Sequence, residues 1–351
     1  MSTADRLRVV VATPLSEELC ARIESAEPRI ELVRDQALLP PMRWAADHIG
    51  DPEFHRTPTQ QEAFEALLDS ADALYGIPGE DAAALARTVN ANPSLRWVHT
   101  MAAGGGAQVK AAGLSAEQLE RVTFTTSAGV HGSSLAEFAV FGVLAGAKTL
   151  PRLLAQQARQ EWSGRWCMKQ LTDMTVIIAG LGAIGRQIAS RLLGLGVRVI
   201  GVNRPSTAME GLSGVISPEE LPEAIASADA LVVALPGTDA THKLVDAEVF
   251  RRAKPGLTVV NVGRGTVLDE EALIAALDDG QVGFAALDVF YSEPLAPDSP
   301  LWTHPNVLVS PHTAGLVESE DEQIADLFVA NATRLLDGEP MLNRVNTVEF
   351  Y

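Results

Sequence analysis

The chain has 351 residues, 47% of them hydrophobic but only 5% aromatic, and a formal charge of −18. That length exceeds one ordinary domain and suits two, with Ala, Val and Leu filling the cores. So acidic a balance argues against nucleic acid as a partner, because a phosphate backbone repels an acidic surface.

The start, Met1 to Arg6, lacks the basic-then-apolar pattern of a secretory leader. Cys20 and Cys167 lie far apart in sequence, which fits a reducing cytoplasm better than a disulfide framework. Residues 7–13 read as a buried strand, Ser16 as a helix cap, and 29–34 as an alternating strand. Residues 36–60 are Pro-rich and irregular, a surface loop or a flap. A helix then leads to the strand Ala73-Leu-Tyr-Gly-Ile77, and another strand at 95–100 ends in Ala102-Ala-Gly-Gly-Gly106. This alternation predicts a parallel, flavodoxin-like sheet. A long apolar helix, Leu135 to Leu154, is interrupted by Glu137, Lys148 and Arg152. No run of about 18 apolar residues occurs, so no membrane span is expected.

A second α/β series follows, with strands at 175–179, 197–202, 230–235, 257–262, 283–288 and 307–310. These six strands predict a doubly wound dinucleotide-binding sheet. The first feeds Gly180-Leu-Gly-Ala-Ile-Gly185, which opens a helix. Gly180 permits the tight turn, Gly182 lets a pyrophosphate approach the backbone, and Gly185 lets helix and strand pack closely. The amides of Ala183 and Ile184 then face the phosphates at a helix N-terminus. The next strand ends in Asn203-Arg-Pro-Ser-Thr207, where NAD enzymes place a carboxylate for the ribose 2′-hydroxyl. Arg204 suits a 2′-phosphate, with Ser206 and Thr207 as further donors. NADP(H) is therefore the preferred cofactor, with NAD(H) the alternative.

Three charged residues stand in recognisable settings: Arg264 in Asn261-Val-Gly-Arg-Gly265, Glu293 in Leu287-Asp-Val-Phe-Tyr-Ser-Glu-Pro294, and His312 in Ser310-Pro-His-Thr-Ala-Gly315. Arg264 and His312 each follow a predicted strand, at the end where α/β sheets bind ligands. His48, His55, His131, His242 and His304 have no comparable setting, and His99 is at most a minor contributor. No His, Cys or carboxylate grouping has metal-ligand spacing, so no metal is expected.

The order and wording of these motifs, from about residue 95 to residue 315, resemble the D-isomer-specific 2-hydroxyacid dehydrogenase family, in its glyoxylate/hydroxypyruvate reductase branch. The resemblance implies that Arg264 holds the substrate carboxylate and polarises the carbonyl, that His312 gives or takes the hydroxyl proton, and that Glu293 orients His312 and holds it charged. It implies that Asp288 binds the nicotinamide carboxamide, and that Ser134, Pro236, Val262 and Gly315 line the cofactor. The amides of Ala103 and Gly104 would bind the substrate carboxylate, although three glycines depart from the family's usual Ser-Ala-Gly-Val-Asp wording. Residues 1–127 with 319–351 would form the substrate domain, and 128–318 the dinucleotide-binding domain. A homodimer built on the segment 133–166 and a small 2-oxo or 2-hydroxy acid as substrate complete the expectation. The alternative on the same fold is a nucleotide-sensing, corepressor-like binding protein.

Overall fold

The computed structural model describes residues 6–203, 209–348 and 350. The chain forms two compact units, Met1–His131 with Leu316–Tyr351, and Gly132–Gly315. The sequence reading sets the divisions at 127/128 and 318/319 instead.

The first unit carries five parallel strands: β1 (Leu7–Val11), β2 (Ile30–Val33), β3 (Ala73–Tyr75), β4 (Trp97–Thr100) and β5 (Thr123–Thr126), in the order β2-β1-β3-β4-β5. Every residue of β3 and β4 is buried, as expected of a parallel sheet covered on both faces. The helix Glu320–Asp337 returns to this core. Its Ile324, Ala325, Phe328 and Ala332 are buried along one helical face. Phe328 stacks on Trp97 at 4.5 Å and meets Tyr75 edge-on at 5.0 Å. Beyond the helix, Arg344 bridges to Thr125, and the Val345 amide donates to the Phe124 carbonyl at 2.9 Å. The C-terminal segment thus completes the sheet that the N-terminal segment begins.

Between a 3-10 turn at Gln36–Leu38 and the helix Pro58–Asp69, the Pro-rich segment is fixed by hydrogen bonds. Asp47 accepts from the Arg43 and Gly50 amides at 3.0 and 3.1 Å, and the Ala46 amide donates to Asp321 at 2.8 Å.

The second unit carries seven parallel strands: β6 (Thr175–Ala179), β7 (Arg198–Val202), β8 (Gly214–Ile216), β9 (Ala230–Val233), β10 (Leu257–Asn261), β11 (Val282–Leu287) and β12 (Val307–Val309). Their order is β12-β11-β10-β9-β6-β7-β8. The three-residue edge strand β8 is an addition to the six strands read from the sequence. Chain order reverses between β6 and β9, so the carboxyl ends of those strands open the crevice where such sheets take a ligand.

The apolar segment read as one long helix is two, Gly132–Ala147 and Leu150–Ala158, bent by 67°. Pro151 explains the break: it lacks an N–H, and its ring would clash with the Ala147 carbonyl four residues back. Thr149 takes the left-handed conformation at φ 53° to make the corner. Among the described residues no single helix is long and apolar enough to cross a membrane.

Candidate active site

The glycine turn follows β6 directly. Gly180 sits at φ +102°, where a Cβ would also press on the Ala234 carbonyl at 2.8 Å. A Cβ on Gly185 would lie 1.8 Å from the Gly180 carbonyl oxygen, so helix and turn touch through their backbones. At Gly182 the same test meets nothing within 4 Å, leaving the backbone open to a ligand. The helix Ala183–Gly194 begins there with no side-chain cap. Its first amides, including those of Ala183 and Ile184, have no capping side chain, which suits an anionic ligand. At the end of β7 the Asn203 amide donates to the Ile216 carbonyl at 3.0 Å. Arg204, Ser206 and Thr207 lie outside the described residues. After β9, the Pro236 carbonyl accepts from the Thr241 hydroxyl at 2.6 Å. After β10, Val262 is buried with its amide on the Val233 carbonyl at 3.0 Å.

Asp288, directly after β11, is buried and organises the next turn. Its Oδ1 accepts from the Ser310 hydroxyl at 2.6 Å and from the Thr313 and Ala314 amides at 3.0 Å each. Its carbonyl accepts from the His312 amide at 2.9 Å. Oδ2 is buried with no hydrogen-bond partner among the described residues. A carboxylate oxygen in that state fits an incoming N–H donor, such as the carboxamide of a nicotinamide. The open backbone at Gly182 fits a pyrophosphate by the same test of space. Gly315 closes the turn, and the Ser134 hydroxyl donates to the Ala314 carbonyl at 2.5 Å.

His312 occupies this turn at φ 55°, a conformation that costs a non-glycine residue about 1–3 kcal/mol and persists only where the surroundings enforce it. Its Nδ1 lies 2.7 Å from Glu293 Oε2, while Glu293 Oε1 accepts from the Phe290 amide at 3.0 Å. Both side chains remain partly open, at 49% for His312 and 35% for Glu293. An ionised carboxylate only accepts, so Nδ1 carries the shared hydrogen and Nε2 is the nitrogen left to exchange a proton.

Arg264 is exposed on the turn after β10. Asn261, buried at that strand's end, braces the turn: its Oδ1 accepts from the Gly263 amide at 3.0 Å and its Nδ2 donates to the Arg264 carbonyl at 3.2 Å. Gly265 packs so closely that a Cβ would lie 1.8 Å from the Phe290 carbonyl carbon. The arginine turn therefore abuts the loop that carries Glu293. Because β10, β11 and β12 are adjacent and parallel, Arg264, Glu293 and His312 share one end of one sheet. Asn261 and Ser310 have no place among the residues expected from sequence. Their only signal there is a polar residue ending a run of apolar ones. Ala103 and Gly104 belong to the other unit, in the turn between β4 and the helix Gly106–Ala111.

Residues 140–314 match the sequence profile of the D-isomer specific 2-hydroxyacid dehydrogenase NAD binding domain. The chain is 32% identical over 298 residues to glyoxylate/hydroxypyruvate reductase B of Cronobacter sakazakii, covering 83% of this chain and 89% of that one. It is 34% identical over 203 residues to a chloroplastic D-3-phosphoglycerate dehydrogenase of Arabidopsis thaliana, but this covers 56% of this chain and only 32% of that one. Among solved structures, a D-isomer specific 2-hydroxyacid dehydrogenase from Xanthobacter autotrophicus Py2, crystallised with NADPH and MES, superposes with a TM-score of 0.77 at 28% identity, covering 99% of this chain and 100% of that one.

The contact at Gly265 sets a test of the packing between the arginine turn and the Phe290 loop. Gly265→Ala drives a methyl group into backbone rather than into a flexible side chain. It is expected to cost about 1–3 kcal/mol, read from the midpoint and slope of denaturant unfolding. An unchanged stability would show that the two loops part freely.

Proposed function

The chain belongs to the D-isomer-specific 2-hydroxyacid dehydrogenase family, and on that premise we propose that it reduces a small 2-oxo acid to the 2-hydroxy acid with NADPH. The observation that carries this reading is the 2.7 Å pair of His312 and Glu293 on a turn abutted by that of Arg264. What NADPH contributes when bound is the hydride. The residues of the chain supply the rest. Glu293 accepts the Nδ1 hydrogen and so aims Nε2 of His312, which gives a proton to the carbonyl oxygen as it becomes a hydroxyl and takes it back in the reverse direction. Arg264 binds the substrate carboxylate and polarises the carbonyl. The amides of Ala103 and Gly104 are assigned to substrate binding. Asp288 Oδ2 receives the carboxamide, which fixes the face of the ring, and the Gly180–Gly185 turn with Ala183 and Ile184 receives the phosphates. Asn203, Pro236, Val262 and Gly315 line the remainder.

The preference for NADPH over NADH rests on the sequence Asn203-Arg-Pro-Ser-Thr207, which has no carboxylate to oppose a 2′-phosphate. The relative from X. autotrophicus was solved with NADPH, which agrees. A homodimer is the expected assembly. Phe141, Leu153, Leu154, Trp162 and Met168 are exposed along the 132–170 segment, and Trp162 is fully so. That much apolar surface supports an interface there. A reducing cytoplasm suits two unpaired cysteines.

Turnover of glyoxylate, hydroxypyruvate, pyruvate, phenylpyruvate and branched 2-oxo acids with each cofactor tests the reading, and turnover of any separates it from the corepressor-like alternative. His312→Ala is expected to lose about 10²–10⁴-fold in the chemical step with NADPH affinity unchanged. Glu293→Gln should lose less, and Arg264→Ala should raise KM and lower kcat together. A His312→Ala enzyme with normal turnover would remove the acid–base assignment. Arg204→Ala should weaken NADPH binding by about 1.5–3 kcal/mol and spare NADH; equal losses would show that Arg204 does not read the phosphate. Light scattering at micromolar concentration should give twice the chain mass, and a monomer would end the dimer proposal.

A further inference from the structure

The core of the first unit contains a row of hydrogen-bonded side chains that packing alone does not call for. Trp97, His99, Thr125 and Ser127 are all fully buried. The Trp97 indole donates to Thr125 Oγ1 at 2.8 Å, and that oxygen lies 2.8 Å from His99 Nδ1. His99 Nε2 lies 3.2 Å from Ser127 Oγ, which donates to the Thr100 carbonyl at 3.1 Å.

Donor chemistry gives this row one direction. An indole N–H can only donate, so Thr125 accepts it and has its own hydrogen for Nδ1. Burial pushes the His99 imidazole down to about 3, so the ring is neutral, and with Nδ1 accepting, its hydrogen sits on Nε2. Nε2–H then donates to Ser127, whose hydroxyl hydrogen goes to the Thr100 carbonyl. In the reverse direction Ser127 would donate to His99 and have nothing for Thr100.

The row ends where the glycine loop begins. Thr100 is held a second time, through its own hydroxyl, which donates to the Ala102 carbonyl at 3.2 Å. The Gly105 amide donates to the same carbonyl at 3.2 Å, and a Cβ on Gly105 would overlap the Thr100 hydroxyl at 1.8 Å. The turn is thus wrapped around Thr100. Its sequence, Ala102-Ala-Gly-Gly-Gly106, has little conformational preference of its own and needs an external anchor.

We propose that Ser127, aimed by His99, is a positioning residue for substrate recognition: it fixes Thr100 and with it the turn that presents the Ala103 and Gly104 amides to the substrate carboxylate. The inference rests on the function proposed above and deepens it. Ser127 touches no reacting atom and acts through the backbone.

The test compares Ser127→Ala and Ser127→Thr with the unmutated protein, using glyoxylate as substrate and oxalate as a non-reacting dicarboxylate inhibitor. Ser127→Ala should raise the KM for glyoxylate and the inhibition constant for oxalate about tenfold each, the worth of one hydrogen bond. Its kcat should stay within about twofold, because His312, Glu293 and Arg264 are untouched. The NADPH dissociation constant should not move. Ser127→Thr, which keeps the hydroxyl, should restore most of the loss. If Ser127→Ala does not fold, Trp97→Phe removes the indole donor that sets the direction while keeping an aromatic ring against Phe328, and should shift both constants the same way. A lowered unfolding midpoint with both constants unchanged would reduce the row to a structural role and overturn the proposal. No turnover of any 2-oxo acid by the unmutated protein would overturn the function and this inference together, and the unmutated control distinguishes that case.

Discussion

One buried carboxylate, that of Asp288, sets the geometry on which the catalytic end of the second sheet depends. A buried charge is costly unless it is met by donors, so the turn after β12 is drawn in to supply them. Three donors converge on Oδ1, and the Asp288 carbonyl takes a fourth from the His312 amide. These bonds hold His312 at a positive φ that it would otherwise avoid. The ring can then meet Glu293 at 2.7 Å. The same carboxylate leaves Oδ2 buried and unpartnered, a standing penalty that a bound donor relieves. On the proposed reading, proton-transfer geometry and affinity for a carboxamide share one residue.

Much of this was legible in the sequence because local chemistry forced it. Gly180 and Gly185 were readable because turn and helix contact leave no room for a side chain. The strand-end settings of Arg264 and His312 were readable because each comes shortly after an apolar run of β propensity. Pro151 carried a signal that the apolar pattern outweighed: the helix breaks just before it. Other features depend on pairings that no local pattern announces. His48 and His131 gave no sign of a role, yet they lie 3.4 and 2.9 Å from the buried Glu320, which is 272 and 189 residues away in sequence. Asn261 and Ser310 likewise become significant only once β10, β11 and β12 stand side by side. The three-residue strand β8 is too short to carry an alternation.

Both units solve one local problem in related ways. A turn at the carboxyl end of a strand must be held open toward a ligand, yet kept in one conformation. In the second unit, Asn261 and Asp288 accept from the turn amides with side chains rooted in the sheet. In the first, Ser127 donates to a carbonyl from the neighbouring strand's end. Each anchor is buried, so water does not compete for it, and its hydrogen bonds are stronger for that reason. Turns anchored in this way lose little further freedom on binding, which is where preorganised sites gain affinity.

A formal charge of −18 stands against the proposed binding of two anions, a phosphorylated cofactor and a carboxylate. Long-range repulsion is screened within about 8 Å at physiological salt, so it affects encounter more than the bound state. What decides binding is the local field. Most arginines with a defined partner, such as Arg8, Arg29, Arg34 and Arg87, are neutralised by adjacent carboxylates. Arg264 is different: its guanidinium donates to the Gly263 carbonyl at 2.7 Å, and among the described residues it forms no ion pair with a carboxylate. Arg264 and the helix amides after Gly182 are local sources of positive potential that need no net positive surface. An acidic protein can hold anions where its positive groups are few, fixed and left without carboxylate partners.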